Sequence, residues 1–182
     1  MAIYTKRGDK GETSLYNKES SQKIRISKDS LTVHSIGSID ELNSVLGISA
    51  SLEKDNVRKK FIQKIQSDLF TIGAILAGAN KRFSASKVKY LEKKIDYLEG
   101  KLPVLGHFIL PGGSILSANF HLARSVSRRA ERMVVALSKE EKVNPPILVF
   151  LNRLSDLLFM LAREANSREK TAETSWPPKV LK

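Results

Sequence analysis

The sequence predicts an all-α protein that folds as one up-and-down bundle of five helices, preceded by an N-terminal arm. Apolar residues recur at steps of three and four along five segments, the connections are short, and the first 35 residues are polar without a helical period. A chain of 182 residues suffices for one domain with a substantial core. We therefore expect one domain over 1–182, with an arm at 1–35, the bundle at 36–168 and a flexible tail at 169–182.

The first two helices are predicted from a capping pattern and from periodicity. Ser38 is followed by Glu41 three residues later, which is the capping-box spacing, so we expect the first helix to begin there. The second helix is expected from about residue 56 to residue 77. Its apolar residues fall three or four positions apart, at Phe61, Ile65, Leu69, Ile72 and Leu76.

The remaining helices are separated by segments that disfavour helix. A third helix is expected over about 86–98, and the prolines and glycines of KLPVLGHFILPGG then predict a break and a loop. A fourth helix is expected over about 114–138. Asn144 followed by two prolines is typical of a cap and first helical turn, which predicts a fifth helix to about residue 167.

Composition excludes several classes of chemistry. The chain has no cysteine, so disulfides, thiolate catalysis and cysteine-ligated metal centres are excluded. Its three histidines, His34, His107 and His121, show no metal-ligand spacing, and we expect no metal centre built by the protein.

Location and charge are less decisive. Polar residues interrupt the most apolar segment and the N-terminus has no apolar signal region, so we expect a cytoplasmic protein without a membrane span. The net charge of +12 is compatible with a solvated basic surface, with nucleic-acid binding or with an anionic small substrate.

An unusual concentration of arginines lies in the fourth helix. At about 100° per residue, Arg124, Arg128 and Arg132 fall on one stripe with Glu131, opposite the apolar face. Like charges four residues apart destabilise a helix, and the planar guanidinium group suits phosphate or carboxylate. The stripe therefore indicates a phosphate or an acidic partner, with a solvated cationic face as the alternative.

The fifth helix is apolar except for one column of Asn152, Asp156 and Arg163. Polar groups on so apolar a helix require partners. One interpretation is an Asp156–Arg163 ion pair inside the bundle, and the other is a ligand edge. The pattern favours the ion pair for Asp156 and a ligand contact for Asn152.

The N-terminal stretch YTKRGDKGETSL contains two closely spaced glycines, Gly8 and Gly11, on either side of Asp9. Such glycines allow backbone N–H groups to approach a phosphate. The segment does not match the Walker A pattern, and a hairpin turn is the alternative.

Five motifs in order give the chain a family resemblance: YTKRGDKGETSL, IGSIDELNSVLG, FILPGG, HLARSVSRRAER and FLNRLSDLLFMLAR. Together they resemble the propanediol-utilisation (PduO) type of ATP:cob(I)alamin adenosyltransferase. The resemblance extends from Tyr4 to about Asn166.

The resemblance implies a homotrimeric five-helix bundle with ATP and cobalamin bound between subunits. It implies that Arg128 holds the triphosphate and that Arg124 pairs with Asp40 across the interface. It also implies that Phe108 presses against the lower face of the corrin ring. The residues that it places around ATP are Thr5, Lys6, Gly8, Asp9, Gly11, Thr13, Glu131 and Asn152.

The implied reaction is attack of cobalt(I) on C5′ of ATP, which gives adenosylcobalamin and triphosphate. ATP would carry Mg²⁺, a separate reductase would supply electrons, and an adenosylcobalamin-dependent enzyme could receive the product. Two alternatives remain open at this point, namely a basic nucleic-acid-binding protein and a related bundle that senses or delivers cobalamin without catalysis.

Overall fold

The computed structural model describes residues 4–17, 20 and 22–176. Five helices make up most of the described chain, which confirms the prediction of an all-α bundle. Their bounds are α1 Leu31–Leu52, α2 Asn56–Leu76, α3 Ser86–Glu99, α4 Ile115–Leu137 and α5 Pro145–Arg168. The helices from α2 onward begin and end within about two residues of the positions predicted from sequence, which is the ordinary uncertainty of helix ends.

The helices pack around α4 and α5. Helix α1 contacts α2 on one side and α4 on the other, α4 contacts α5, and α5 contacts α3. The ring of Phe61 on α2 lies 5.9 Å from that of Tyr90 on α3, so aromatic contact joins these two helices. All five helices contribute to the core, which contains mainly leucine and isoleucine side chains together with phenylalanine, valine, alanine and methionine.

Helix α5 is the most deeply buried of the five. By length and composition it could cross a bilayer, with a mean hydropathy of 1.4 over its most apolar window, although its polar column led us to expect no such segment. It packs against α3 and α4, and 56% of that window is buried. Its apolar composition is therefore accounted for by its place in the core.

Helix α1 begins earlier than the sequence suggested. Ser30 caps it, because the Ser30 side chain accepts a hydrogen bond from the Val33 N–H group. Ser38 lies inside the helix, where its hydroxyl donates to the carbonyl of His34 at 3.0 Å. The prediction that Ser38 opens the helix and that the arm extends to residue 35 is therefore wrong.

The reason is that the first turns of α1 bury polar rather than apolar side chains. The hydroxyl of Thr32 donates to Oε1 of Glu141 at 2.6 Å, and that of Ser35 donates to the carbonyl of Met133 at 3.2 Å. Both residues are buried, so this part of the helix has a buried face without an apolar period.

The arm before α1 contains a β-hairpin. Strand β1 (Glu12–Tyr16) pairs antiparallel with β2 (Lys23–Ser27). The N–H group of Tyr16 donates to the carbonyl of Ala77 at 2.9 Å, which attaches the hairpin to the end of α2. Gly78 is required there, because its φ is +94° and a Cβ atom would lie 1.8 Å from the carbonyl oxygen of Tyr16.

A second pair of short strands joins the loop before α4 to the segment after α5. Strand β3 (Phe108–Ile109) pairs antiparallel with β4 (Ser175–Trp176), and Phe108 lies opposite Trp176. The N–H group of Leu110 also donates to the carbonyl of Thr174 at 2.9 Å. The prediction of a flexible tail is therefore wrong for the segment up to Trp176; residues 177–182 lie outside the described residues.

Candidate functional site

The arginine stripe of α4 and the polar column of α5 lie next to each other. Nδ2 of Asn152 donates to Oε1 of Glu131 at 3.0 Å. Nearer the other end of the two helices, the ring centroids of His121 and Phe159 are 6.0 Å apart. The residues predicted to contact a nucleotide from the two helices are thus brought together.

The cations of this stripe are not neutralised by the part of the chain that the structure describes. Arg128 is exposed and has no acidic partner within the described ranges. Arg124 is half-buried, and its Nε atom is buried without a hydrogen-bond partner there. Arg129, which lies at the edge of the stripe, pairs instead with Glu41 of α1. An uncompensated pair of arginines on one face is suited to an external anion.

His121 is a deeply buried polar residue of this region. It is 3% exposed, and both of its ring nitrogens lack a hydrogen-bond partner among the described residues. Burial and then the positive charge of Arg124 lower the pKa of His121, and the charge of Glu173 opposes them only in part. His121 is therefore neutral at pH 7.

Asp40 lies on the exposed side of α1. It lines a cavity of about 400 Å³ between α1 and α2, together with Ile36, Asn43 and Phe70. The structure gives Asp40 no ion pair within the described chain and does not bring it together with Arg124 of the same chain. Pairing of these two residues across an interface remains a prediction.

The N-terminal glycine segment leads into strand β1. The N–H group of Asp9 donates to the carbonyl of Lys6 at 3.4 Å, and that of Gly11 donates to the carbonyl of Gly8 at 3.2 Å. Lys6 and Gly11 both have positive φ, at 57° and 80°. The alternative that this segment is the turn of a hairpin is wrong, because the hairpin turn follows β1 instead.

Two basic residues of the second strand region hold this turn, and the sequence reasoning missed both. Arg25 donates from Nη2 to the carbonyl of Arg7 at 2.7 Å and from Nη1 to the hydroxyl of Ser14 at 3.1 Å. Nζ of Lys28 donates to the carbonyl of Gly8 at 3.0 Å. The alternation of basic and apolar residues in KIRIS was a signal for this strand. The side chains predicted to bind ATP from the turn are left open: Thr5, Lys6 and Asp9 are exposed and Thr13 is half-buried.

The predicted Asp156–Arg163 ion pair is wrong. Asp156 pairs with Arg153 at 3.2 Å. Arg163 is 6% exposed and donates to Oε1 of Glu173 at 3.1 Å and to the carbonyl of Pro103 at 2.9 Å. Residues seven apart on a helix are separated by roughly 10 Å along its axis, so each of the two has nearer partners.

A buried side chain that the sequence reasoning also missed helps to hold the FILPGG loop. Asn166 is 2% exposed. Its Oδ1 accepts from the N–H group of Ser114 at 2.9 Å, and its Nδ2 donates to the carbonyl of Gly112 at 3.3 Å. The loop presents Phe108 to the outside, where this side chain is 77% exposed. The signal in the sequence was an asparagine near the end of an apolar helix, because an amide on such a helix needs hydrogen-bond partners once it is buried.

A comparison with protein-family models identifies the family of this chain. The family model described as cobalamin adenosyltransferase matches residues 3–165. The chain belongs to this family. The sequence-based identification of a transferase of the PduO type is thereby confirmed, in preference to a nucleic-acid-binding protein.

Relatives of this adenosyltransferase cover nearly the whole chain. A corrinoid adenosyltransferase of Bacillus subtilis is 40% identical over 97% of this chain and 92% of its own length. The human corrinoid adenosyltransferase MMAB is 39% identical over 94% of this chain and 71% of its own. The corrinoid adenosyltransferase PduO of Citrobacter freundii is 38% identical over 90% of this chain, but this chain spans only 49% of that protein.

Solved structures of the family share the fold. A phenylalanine-to-alanine variant of the PduO-type ATP:corrinoid adenosyltransferase of Lactobacillus reuteri, complexed with cobalamin and ATP, has a TM-score of 0.88 and 37% identity. The match covers 96% of this chain and 99% of that one. An arginine-to-lysine variant of the same enzyme, complexed with ATP, also has a TM-score of 0.88.

Proposed function

We propose that the enzyme transfers the 5′-deoxyadenosyl group of ATP to the cobalt(I) of cob(I)alamin, giving adenosylcobalamin and triphosphate. It would do so as a cytoplasmic homotrimer, with both substrates bound between subunits. The observation that carries the proposal is the uncompensated Arg124 and Arg128 beside the Glu131–Asn152 pair. Related enzymes complexed with ATP and cobalamin support it further.

The triphosphate would lie between the arginine stripe and the N-terminal turn. Arg128 offers a planar donor group to phosphate oxygens, and the open turn offers backbone N–H groups and the side chains of Thr5, Lys6 and Thr13. Asn152 and Glu131, already joined to each other, would contact the nucleotide. Mg²⁺ would arrive with ATP, which is consistent with a site dominated by cations.

The transfer is a nucleophilic displacement at carbon. Cobalt(I) donates an electron pair to C5′, a Co–C bond forms, and the C5′–O bond breaks with its electron pair going to the leaving triphosphate. No proton has to move, so the enzyme needs no general base. Its contribution is alignment of the two substrates and stabilisation of the charge that develops on the triphosphate, which is the role of Arg128.

Phe108 would act on the other substrate. Its ring is exposed on the FILPGG loop, where it could cover the lower face of the corrin and exclude an axial ligand. Cobalt(II) without that ligand is more easily reduced, and a separate reductase would supply the electron. The cobalt ion of cobalamin undergoes the reduction, and the protein changes its axial coordination.

The subunit interface would complete the site. The buried Nε atom of Arg124 lacks a partner among the residues described here, and Asp40 is exposed on α1 without an ion pair in that part of the chain. A neighbouring subunit that brings Asp40 to Arg124 would satisfy both groups. This requirement supports an oligomer in which the active site forms between chains.

The direct test is an anaerobic assay with chemically reduced cob(I)alamin, ATP and Mg²⁺. We expect a protein- and ATP-dependent change to the adenosylcobalamin spectrum, and a product that is destroyed by light. Absence of product, while ATP and cobalamin both bind, would refute the proposed reaction and favour the cobalamin carrier or sensor.

A further inference from the structure

The β3–β4 ladder places two large apolar side chains side by side on the surface. Phe108 and Trp176 are directly opposite each other in this antiparallel pair. Side chains at such positions project to the same face, with Cβ atoms about 5 Å apart. Phe108 is 77% exposed and Trp176 is 49% exposed, so neither is used to fill the core.

One buried arginine holds the segments that precede this pair. Arg163, on the last third of α5, donates to the carbonyl of Pro103, which lies before Phe108. The same guanidinium group donates to the carboxylate of Glu173, which lies before Trp176. A single side chain therefore sets the distance between the loop and the tail.

One buried asparagine does the same on the other side of the loop. The side chain of Asn166 bonds to Gly112 and Ser114, which follow Phe108. Its backbone carbonyl accepts from the N–H group of Thr171 at 2.9 Å, at the start of the tail. Arg163 and Asn166 are one helical turn apart, so both segments are fastened to the same end of α5.

We propose that Trp176 is a second substrate-contacting ring, which together with Phe108 forms one apolar surface against the lower face of the corrin. Arg163 and Asn166 are the positioning residues that hold this surface. The inference rests on the proposed function, in which Phe108 excludes the lower axial ligand.

The physical reason is that two rings cover more of the corrin face than one ring does. A single phenyl ring covers only part of a macrocycle, and water that reaches the rest of its face can coordinate cobalt. An indole ring beside the phenyl ring widens the dry surface, and aromatic side chains offer large apolar area with few rotatable bonds. Trp176 therefore contributes both to the affinity for cobalamin and to the exclusion of a fifth ligand.

The binding of ATP should not depend on the surface formed by Phe108 and Trp176. Asn152 lies near the start of α5 and Asn166 near its end, which corresponds to roughly 20 Å along the helix axis. A change at Trp176 is thus expected to alter the interaction with cobalamin and not the interaction with ATP. This difference distinguishes a corrin contact from a general structural role.

The experiment compares Trp176→Ala, Trp176→Phe and Phe108→Ala with the wild-type full-length enzyme. Tyr97→Ala, which removes another half-exposed aromatic ring on α3, is the matched control. For each variant we would measure the KM for cob(I)alamin, the KM for ATP, and the fraction of four-coordinate cob(II)alamin formed with ATP, from its absorption spectrum. Thermal unfolding confirms that each variant is folded.

We expect Trp176→Ala to raise the KM for cob(I)alamin roughly tenfold, the effect of losing one buried aromatic contact, and to lower the four-coordinate fraction. The KM for ATP should stay within about twofold, and Trp176→Phe should recover most of the loss. A wild-type KM for cob(I)alamin and a wild-type spectrum for Trp176→Ala would overturn the inference while leaving the proposed function intact. A wild-type enzyme that forms no adenosylcobalamin would overturn both.

Discussion

Asn152 and Glu131 are joined across the α4–α5 contact by a hydrogen bond from Nδ2 to Oε1 of 3.0 Å. The amide keeps the carboxylate in a fixed direction one turn of α4 from Arg128, which has no acidic partner in the described residues. The amide oxygen of Asn152 remains available, because only its nitrogen is used. The pair therefore presents a fixed acceptor surface next to the cations.

Asn152→Asp should weaken ATP binding by about tenfold or more. The new carboxylate would lie within hydrogen-bonding distance of Glu131, and like charges at this distance repel each other and an approaching triphosphate. Titration calorimetry with MgATP measures the effect. Asn56→Asp, at the exposed start of α2, adds the same charge elsewhere and should leave the affinity unchanged. Equal affinities for the wild type and Asn152→Asp would remove Asn152 from the nucleotide site.

Arg128→Ala should lower kcat by about 10²–10³-fold with the fold intact, the usual cost of losing one charge-stabilising donor. The KM for ATP should change less, because the charge on triphosphate grows as the C5′–O bond breaks. Steady-state kinetics and thermal unfolding report both. Arg82→Ala, in the connection between α2 and α3, is a control for loss of an exposed arginine. Near-normal turnover of Arg128→Ala would exclude the assigned role.

Asp40→Ala and Arg124→Ala should each reduce activity, and the double variant should lose little more than either single one. If the two groups pair between subunits, removal of one already removes the interaction, so the losses are not additive. The cycle is completed with kcat/KM and with the oligomeric state from light scattering. Additive losses would indicate that Asp40 and Arg124 act separately.

Gly113→Ala should destabilise the protein by about 1–3 kcal/mol, because the position has a φ of +98° and a Cβ atom would lie 2.2 Å from Oδ1 of Asn166. The hydrogen bonds from Asn166 to the FILPGG loop should also be lost, and adenosyltransferase activity should therefore fall. Gly112→Ala is the matched control, since a Cβ atom there meets nothing within 4 Å. Chemical denaturation compares the two, and equal stabilities would contradict the description of the loop.

His121 should make the enzyme sensitive to mild acid. Its pKa is lowered in the folded state by burial and by Arg124, so the unfolded chain binds its proton at higher pH. The stabilisation is therefore complete above the ordinary value of 6.5 and is lost as the pH falls through the lowered pKa. The groups around the ring that carry charge are Arg124 and Glu173.

The measurement is the free energy of unfolding as a function of pH for the wild type and His121→Gln. In the variant, the decline in the free energy of unfolding below pH 6.5 should be smaller than in the wild type. His107→Gln, at an exposed loop position, should retain the wild-type profile. Identical profiles for all three proteins would show that His121 does not contribute.

The helical part of the fold could be predicted from sequence, because α2 to α5 bury apolar faces with a clear period. The start of α1 could not, since Thr32 and Ser35 are buried through hydrogen bonds to other helices, and such partners are invisible in a local pattern. The β3–β4 ladder was missed for a similar reason. Phe108 and Trp176 are far apart in the chain, and two-residue strands have no periodicity of their own.

The candidate site was likewise predicted only in part from the sequence. The stripe of Arg124, Arg128 and Glu131 followed from helical geometry, and the structure brings Asn152 to it. The positioning roles of Arg163 and Asn166 could not be predicted from the sequence, because their partners include backbone carbonyls and N–H groups of distant loops. Local periodicity identifies which face a residue occupies, but it does not identify a non-local backbone partner.

The ladder opposite Phe108 has an optical consequence. Trp176 is the single tryptophan of the chain, so excitation of indole reports on this one edge of the bundle and on no other part of the protein. Its emission maximum and its accessibility to a neutral quencher measure the exposure of that edge to water. No other tryptophan contributes to the signal. Events at the β3–β4 ladder can therefore be followed in real time in the unmodified enzyme.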